Sequence, residues 1–138
     1  IRPGTTPVAL VAGMTTAAEI ADSECVEQQV KCAAIKQDLL KHLEGVRYTI
    51  NGAPEHCISN TINISFDGVD AESLFVALKA EYAFSNGSAC NSSSYTPSYV
   101  LTEMGLSAKL INEAVRISWS ASSEVDFSQL VHCIKNMQ

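Results

Sequence analysis

The sequence predicts an α+β fold in a single domain spanning residues 1–138: a long amphipathic amino-terminal helix and a small, mainly antiparallel sheet covered by helices. Three observations support this prediction. The length of 138 residues fits one domain of about 150 residues. A composition of 46% hydrophobic and 17% charged residues provides enough apolar side chains for a core and argues against disorder. Helical and alternating apolar patterns follow one another in mixed order, which is typical of α+β domains.

The first helix is predicted from apolar residues that recur every three or four positions between Val8 and Leu43. This is the period of a helix with one apolar face. Pro7 suits its first turn, and Gly45 suits its carboxyl cap. We therefore expect a helix of more than thirty residues at the start of the chain.

Three alternating segments predict strands. Residues 46–50 alternate apolar and polar side chains up to a turn signal at Asn51-Gly52, and residues 61–66 alternate up to Asp67-Gly68. Residues 114–119 alternate again. The remaining patterns predict helices at 71–82 with Asp70 as amino cap, at 97–104 with Thr96 as amino cap, at 109–113 and at 124–137.

Composition and spacing exclude several classes of function. Nine basic against fifteen acidic residues give a net charge of -6 without a basic run, so we expect no nucleic-acid partner. The longest apolar run, 8–14, is far shorter than the roughly 20 residues of a membrane span. The amino-terminal segment also lacks the pattern of a signal peptide. We therefore expect no membrane partner and a cytoplasmic location. Because the chain begins with Ile1 instead of Met, we expect a processed product or a fragment.

The cysteines predict free thiols. Their number is odd, and no C-x-x-C motif or short Cys/His cluster is present, so we expect neither a metal site nor a disulfide framework. Free thiols fit a reducing compartment. Cys25 and Cys32 lie seven residues apart on one face of the first helix, and we expect both to act as small core side chains. The five cysteines are Cys25, Cys32, Cys57, Cys90 and Cys133.

Cys90 is the candidate reactive residue. It lies within SNGSACNSSS, residues 85–94, a composition that predicts an exposed, mobile loop. Backbone N–H groups and hydroxyls of such a loop can stabilise a thiolate, which favours a nucleophilic role. The alternative is an incidental loop cysteine. A thiol protease or transferase would need His42, His56 or His132 as a base, and the sequence shows no orienting motif for any of them.

Arg116 is the candidate anion-binding residue. It lies in the alternating segment AVRISWS, residues 114–120, between apolar neighbours. A guanidinium on a rigid strand can bind a carboxylate through two parallel hydrogen bonds. The alternative is an ordinary surface arginine.

Several of these motifs together resemble one family. The loop SNGSAC with the following SSYTPSYVL, a strand with Arg116, the opening RPGT and the strand SNTINISF closely resemble the carboxy-terminal third of NifS/IscS-type cysteine desulfurases. The resemblance spans essentially the whole chain. These class V aminotransferase relatives are fold-type-I pyridoxal-phosphate enzymes, which convert L-cysteine to L-alanine and pass the sulfur on as a protein persulfide. The resemblance therefore implies the small domain of such an enzyme.

The resemblance also implies roles for individual residues. Cys90 would attack the sulfur of the substrate and carry it as a persulfide, and Arg116 would hold the substrate α-carboxylate. Asn60 would lie on the substrate side of the cofactor. Gly4 and Thr5 would reach the cofactor phosphate of the opposite subunit in a homodimer. The partners of the complete enzyme would be L-cysteine and a sulfur-acceptor protein, as in iron–sulfur cluster assembly.

The chain departs from the family pattern in two respects. The segment ISWSASSEVDF, which follows Arg116, lacks the family's Gly-Arg pair. The lysine that binds pyridoxal phosphate belongs to the large domain, which this chain does not contain. We therefore expect the chain to be inactive without that domain. The alternative from a different class is a non-enzymatic persulfide carrier or interaction domain, or an inactive remnant that lacks the cofactor lysine.

Overall fold

A computed structural model describes residues 4–85 and 97–138 and confirms the predicted α+β class. Its sheet has three antiparallel strands in sequence order, and helices precede, separate and follow the strands. In chain order, the elements are α1 (Val8–His42), β1 (Tyr48–Ile50), β2 (Thr61–Phe66), α2 (Ala71–Leu78), α3 (Tyr99–Glu103), α4 (Ala108–Asn112), β3 (Ala114–Ser118) and α5 (Ser128–Met137).

The core lies on one face of this sheet. The register pairs Ile50 with Ile64 and Ile64 with Val115, so apolar side chains of all three strands share that face. Helix α2 packs on α5, and both cover the face together with the carboxyl-terminal part of α1. The fully buried side chains of this core include Leu39, Leu43, Ile64, Phe66, Leu74, Leu130 and Ile134.

Helix α1 is confirmed as a helix, but the expected burial of its apolar face holds only near its carboxyl end. A helix of 35 residues is about 52 Å long, whereas a strand of six residues spans about 20 Å. Within the described ranges, residues 8–31 are all exposed. The prediction that Cys25 is buried is therefore wrong, whereas Cys32 is buried as expected. The helix ends at a carboxyl cap formed by Leu43 instead of Gly45, which follows in a turn with φ of 81°.

Trp119 holds α1 against the sheet. Its indole Nε1 donates a hydrogen bond of 2.9 Å to the backbone oxygen of Cys32, and its backbone N–H donates to the oxygen of Asn60 at 3.0 Å. The indole is buried. One residue after β3 thus connects the sheet to the first long helix.

Helices α2 and α5 are shorter than predicted, because residues at one end of each predicted helix form other hydrogen bonds. Helix α2 ends at Leu78, and the following Tyr82 stacks on Phe84 and donates its hydroxyl hydrogen to the backbone oxygen of Asp126. Helix α5 begins at Ser128 instead of residue 124, because the Asp126 carboxylate accepts the backbone N–H of Ser128 at 2.9 Å.

The short helices α3 and α4 also differ from the prediction by one or two residues at each end. Ser98, and not the predicted Thr96, caps α3, since its hydroxyl accepts the N–H of Leu101. Thr96 lies outside the described residues. Helix α4 begins one residue early, after the cap Ser107. Serine at these positions satisfies a backbone donor that the helix itself leaves unpaired.

Asp67 joins three segments at one end of the sheet. Its carboxylate accepts from Lys109 Nζ at 2.5 Å and from Arg47 Nε at 3.2 Å. Hydrogen bonds from Lys109 and, with a smaller effect, from Arg47 hold the pKa of the Asp67 carboxyl below its usual value. Gln138 closes the cluster, because its side-chain amide donates to the backbone oxygen of Arg47 at 2.7 Å.

We expect Asp67→Asn to lower the midpoint of thermal unfolding at pH 7 by about 1–3 °C, the scale of an exposed ion-pair network. Folding lowers the pKa of this carboxyl. Its contribution to the free energy of unfolding is therefore complete above the reference pKa of 3.8 and is lost as the pH falls through the folded-state pKa. The difference between wild type and variant should therefore disappear in strong acid. Asp22→Asn, on the exposed part of α1, is the control. A difference that persists undiminished in acid would contradict this assignment.

Candidate functional site

The face of the sheet opposite the core is polar. Helices α3 and α4 cover one end of it, where Leu101, Ile111 and Ala114 form a second small apolar cluster. The other end is open, since Arg116 and Ser118 are exposed. The polar side chains that alternate onto this face are Thr49, Asn51, Thr61, Asn63, Ser65, Arg116 and Ser118.

The position of Arg116 is fixed from both sides of its strand. On one side, its register partner in β2 is Asn63. On the other, its N–H donates to the backbone oxygen of Ser85 at 2.7 Å, and its oxygen accepts from the N–H of Ser85 at 3.2 Å. Among residues 4–85 and 97–138, no carboxylate forms an ion pair with Arg116. The guanidinium is therefore an exposed cation on β3, and the strand predicted around Arg116 is confirmed.

Chain connectivity relates Arg116 to Cys90. Cys90 and the predicted loop residues 86–94 lie outside the described residues. Ser85, which the loop prediction also includes, pairs with Arg116 in an isolated antiparallel bridge. Cys90 follows it by five residues, and five extended residues span at most about 18 Å. The candidate thiol is therefore only five residues along the chain from the residue that pairs with Arg116.

The described cysteines are all free. Cys25 and Cys57 are exposed, and the Cys57 thiol donates to the backbone oxygen of Ala53 at 3.2 Å. Cys133 is half-buried in α5, and burial raises the pKa of its thiol. Within the described part of the chain, no group of histidine, cysteine and acidic side chains is arranged to hold a metal ion.

Asn60 lies just before β2 and lines a groove between α1 and the sheet. Its backbone oxygen accepts from Trp119, and Cys25, Cys57 and Trp119 line the same groove. Arg116 does not line it. Among the described residues, this groove therefore does not bring Asn60 and Arg116 together.

Gly4 and Thr5 lie at the opposite end of α1 from the sheet. Both are exposed, and Gly4 has a φ of 98°. Val8 begins α1, and the contact of Cys32 with Trp119 lies 24 residues further along the helix, a distance of about 36 Å. Within one chain, Gly4 and Thr5 therefore lie far from the end of α1 that meets the sheet, and their contribution to the opposite subunit stays a prediction.

A network of three polar side chains lies next to Arg116, and sequence reasoning missed it. The Asn51 amide donates to Asn63 Oδ1 at 2.7 Å and to the Ser65 hydroxyl at 2.8 Å. The Ser65 hydroxyl donates to the backbone oxygen of Leu110 at 2.7 Å. Asn51 and Ser65 are buried, whereas Asn63 is half-buried. The available sequence signal was the alternation of β2, which places Asn63 and Ser65 on one face.

The described residues do not fit a complete pyridoxal-phosphate site. All six lysines are exposed or half-buried. Lys31 pairs with Glu27 at 2.6 Å and Lys109 pairs with Asp67, so both ammonium groups already have partners. None of these lysines has a setting suited to hold the cofactor. In the described part of the chain, no helix is long and apolar enough to cross a membrane.

Comparisons with known proteins point to one family. The family model described as Aminotransferase class-V matches residues 1–126. The cysteine desulfurase IscS of Tolumonas auensis is 38% identical over 132 residues, which are 93% of this chain and 32% of that protein. The crystal structure of DndA from Streptomyces lividans is 35% identical with a TM-score of 0.63, over 86% of this chain and 33% of that one.

The NifS-like protein from Rickettsia africae, 23% identical, shares the fold with a TM-score of 0.74 over 99% of this chain and 36% of its own. The chain thus spans about a third of the length of the relatives it matches.

Proposed function

Since this chain belongs to the class-V aminotransferase family, we propose that it is the carboxy-terminal part of a cysteine desulfurase, which converts L-cysteine to L-alanine. In this proposal, Cys90 takes the sulfur as a persulfide and passes it to an acceptor protein. The complete enzyme acts as a cytoplasmic homodimer with pyridoxal phosphate. Gly4 and Thr5 contribute to the cofactor phosphate of the opposite subunit, and Asn60 contributes to the substrate side of the cofactor.

The arrangement of Arg116 and Ser85 is the observation that carries this proposal. Arg116 is an exposed cation without an ion-pair partner in the described ranges, and it is held by hydrogen bonds to Ser85. The segment with Cys90 continues from Ser85. A carboxylate bound at Arg116 therefore lies within reach of a thiol on a connected segment. L-cysteine offers the carboxylate, and its sulfur is the atom to be transferred.

The net reaction balances with this chain as sulfur acceptor. The Cys90 thiolate attacks the sulfur of L-cysteine, so that an S–S bond forms and the C–S bond of the substrate breaks. The electron pair of the C–S bond stays on the substrate carbon, which takes a proton and becomes the methyl group of L-alanine. The transferred sulfur is oxidised and the carbon is reduced, so no external oxidant is needed.

Pyridoxal phosphate serves as the electron sink for such reactions. The family resemblance implies that the cofactor lysine belongs to the large domain, and this chain covers only 32% of the Tolumonas auensis relative. The residues of this chain bind the carboxylate, orient the substrate and accept the sulfur. The composition around Cys90 predicts an exposed loop, and a thiol on such a loop can serve a bound substrate and an external acceptor in turn.

The proposal is tested with the full-length protein and L-cysteine in the presence of a thiol reductant. We expect equal amounts of L-alanine and sulfide, measured by amino-acid analysis and by a sulfide assay. Absence of L-alanine from a pyridoxal-phosphate-loaded full-length protein would overturn the desulfurase assignment. In that case, a persulfide carrier becomes the better assignment if a sulfur donor loads Cys90 directly.

A further inference from the structure

We propose that Asn63 is a second donor to the substrate carboxylate, beside Arg116 on the same face of the sheet. This inference rests on the proposed function, because it concerns the same carboxylate. It follows from the direction of three hydrogen bonds and from the type of strand pairing at Asn63. The resemblance assigns no role to this residue.

The hydrogen-bond network fixes which end of the Asn63 amide is available. The backbone oxygen of Leu110 can only accept, so the Ser65 hydroxyl donates its single hydrogen there, at 2.7 Å. Ser65 must then accept from the Asn51 amide, which donates its two hydrogens to Ser65 and to Asn63 Oδ1. The Asn63 oxygen is therefore occupied. Its Nδ2, with two hydrogens, has no acceptor among the described residues.

The strand pairing brings this amide close to the guanidinium. Backbone hydrogen bonds in this pair of strands occur at Trp119 to Asn60, 3.0 Å, and at Phe66 to Glu113, 3.3 Å. Because hydrogen-bonded and non-hydrogen-bonded pairs alternate in antiparallel sheets, Asn63 and Arg116 form a non-hydrogen-bonded pair. Side chains are closest in such pairs, with Cβ atoms about 4.5–5.5 Å apart.

The outward backbone bonds of Arg116 agree with this assignment. Both its N–H and its oxygen bond to Ser85 on the far side of β3, as expected for a residue that makes no backbone bond to β2. An amide whose two hydrogens have no acceptor among the described residues and an exposed guanidinium thus lie side by side on the polar face. Together they form a donor set for one carboxylate, and the buried Asn51 keeps the Asn63 amide in the correct orientation.

The test compares two ligands that differ only by a carboxylate. L-alanine and ethylamine are titrated into the full-length holoenzyme by calorimetry, for wild type, Asn63→Ala, Arg116→Ala and Thr49→Ala. Thr49 lies on the same face but two strands from Arg116 and serves as the control. We expect Asn63→Ala to lower the affinity for L-alanine roughly tenfold or more, because a hydrogen bond to a charged group is lost. The affinity for ethylamine should change less than about twofold.

The outcomes separate this inference from the proposed function. Equal losses for both ligands in Asn63→Ala, or no loss for either, would overturn the role of Asn63 while Arg116→Ala still abolishes the preference for L-alanine. A wild-type protein without any preference for L-alanine would overturn the carboxylate site itself, and with it both proposals. If Asn63→Ala does not fold, Asn63→Ser replaces it, because its hydroxyl can still accept from Asn51.

Discussion

Replacing Cys90 by serine is expected to reduce the release of sulfide from L-cysteine by at least about a hundredfold in the full-length protein, because a hydroxyl is a far weaker nucleophile than a thiolate near neutral pH. The content of bound pyridoxal phosphate should remain unchanged, since the proposal assigns Cys90 to sulfur transfer and not to cofactor binding. The measurement is the initial rate of sulfide formation at saturating L-cysteine, together with the absorbance of the cofactor.

Cys25→Ser and Cys57→Ser are the matched controls for this change. Both thiols are exposed in the described part of the chain, and both line the groove beside α1. Each control variant should keep the wild-type rate. A Cys90→Ser protein that releases sulfide at the normal rate, or a control variant that loses activity to the same extent, would remove Cys90 from the proposed reaction.

Replacing Arg116 by alanine is expected to raise KM for L-cysteine roughly 30- to 100-fold, because the substrate carboxylate loses a bidentate, charge-assisted partner. Arg116→Lys should recover only part of the loss, since an ammonium group cannot form two parallel hydrogen bonds. Steady-state kinetics over a range of L-cysteine concentrations give KM and kcat separately.

Arg47→Ala is the control for the Arg116 variants. Arg47 is also exposed and lies just before β1, but its guanidinium pairs with Asp67 at the other end of the sheet. Its removal should lower stability slightly and leave KM unchanged. An unchanged KM in Arg116→Ala would contradict the assignment of this residue to the substrate carboxylate.

The strands could be predicted from the sequence because alternation is a local signal. Strand β2 has the predicted bounds, and Asp67-Gly68 ends it as expected, whereas β1 begins at Tyr48 instead of residue 46 and β3 ends at Ser118 instead of residue 119. Helix ends were less accurate, since caps depend on contacts that periodicity does not show. The bond from Ser128 to Asp126 delays the start of α5, and the hydroxyl of Ser98 sets the start of α3.

The burial of α1 could be predicted only in part. Its periodicity identifies an apolar face but not which part of that face meets the sheet. The sheet is much shorter than the helix, so Cys32 and Leu39 are buried while Cys25 is exposed. A pattern within one element carries no information about the length of the element that it packs against.

The candidate site could be predicted where its residues stand out by type. Arg116 is a charge in an apolar segment, and Cys90 is a thiol in a polar one. Asn51 and Asn63 do not stand out, because a polar residue in an alternating strand suggests only a solvent-exposed face. Their importance depends on the register between strands, which the sequence pattern does not determine.

The most direct test of the central claim is to locate the transferred sulfur. The full-length protein is treated with L-cysteine without reductant, its thiols are alkylated, and its peptides are analysed by mass spectrometry. We expect the peptide with Cys90 to carry one additional sulfur atom, whereas the peptides with Cys25, Cys57 and Cys133 do not. An additional sulfur on one of those other cysteines, with none on Cys90, would contradict the account.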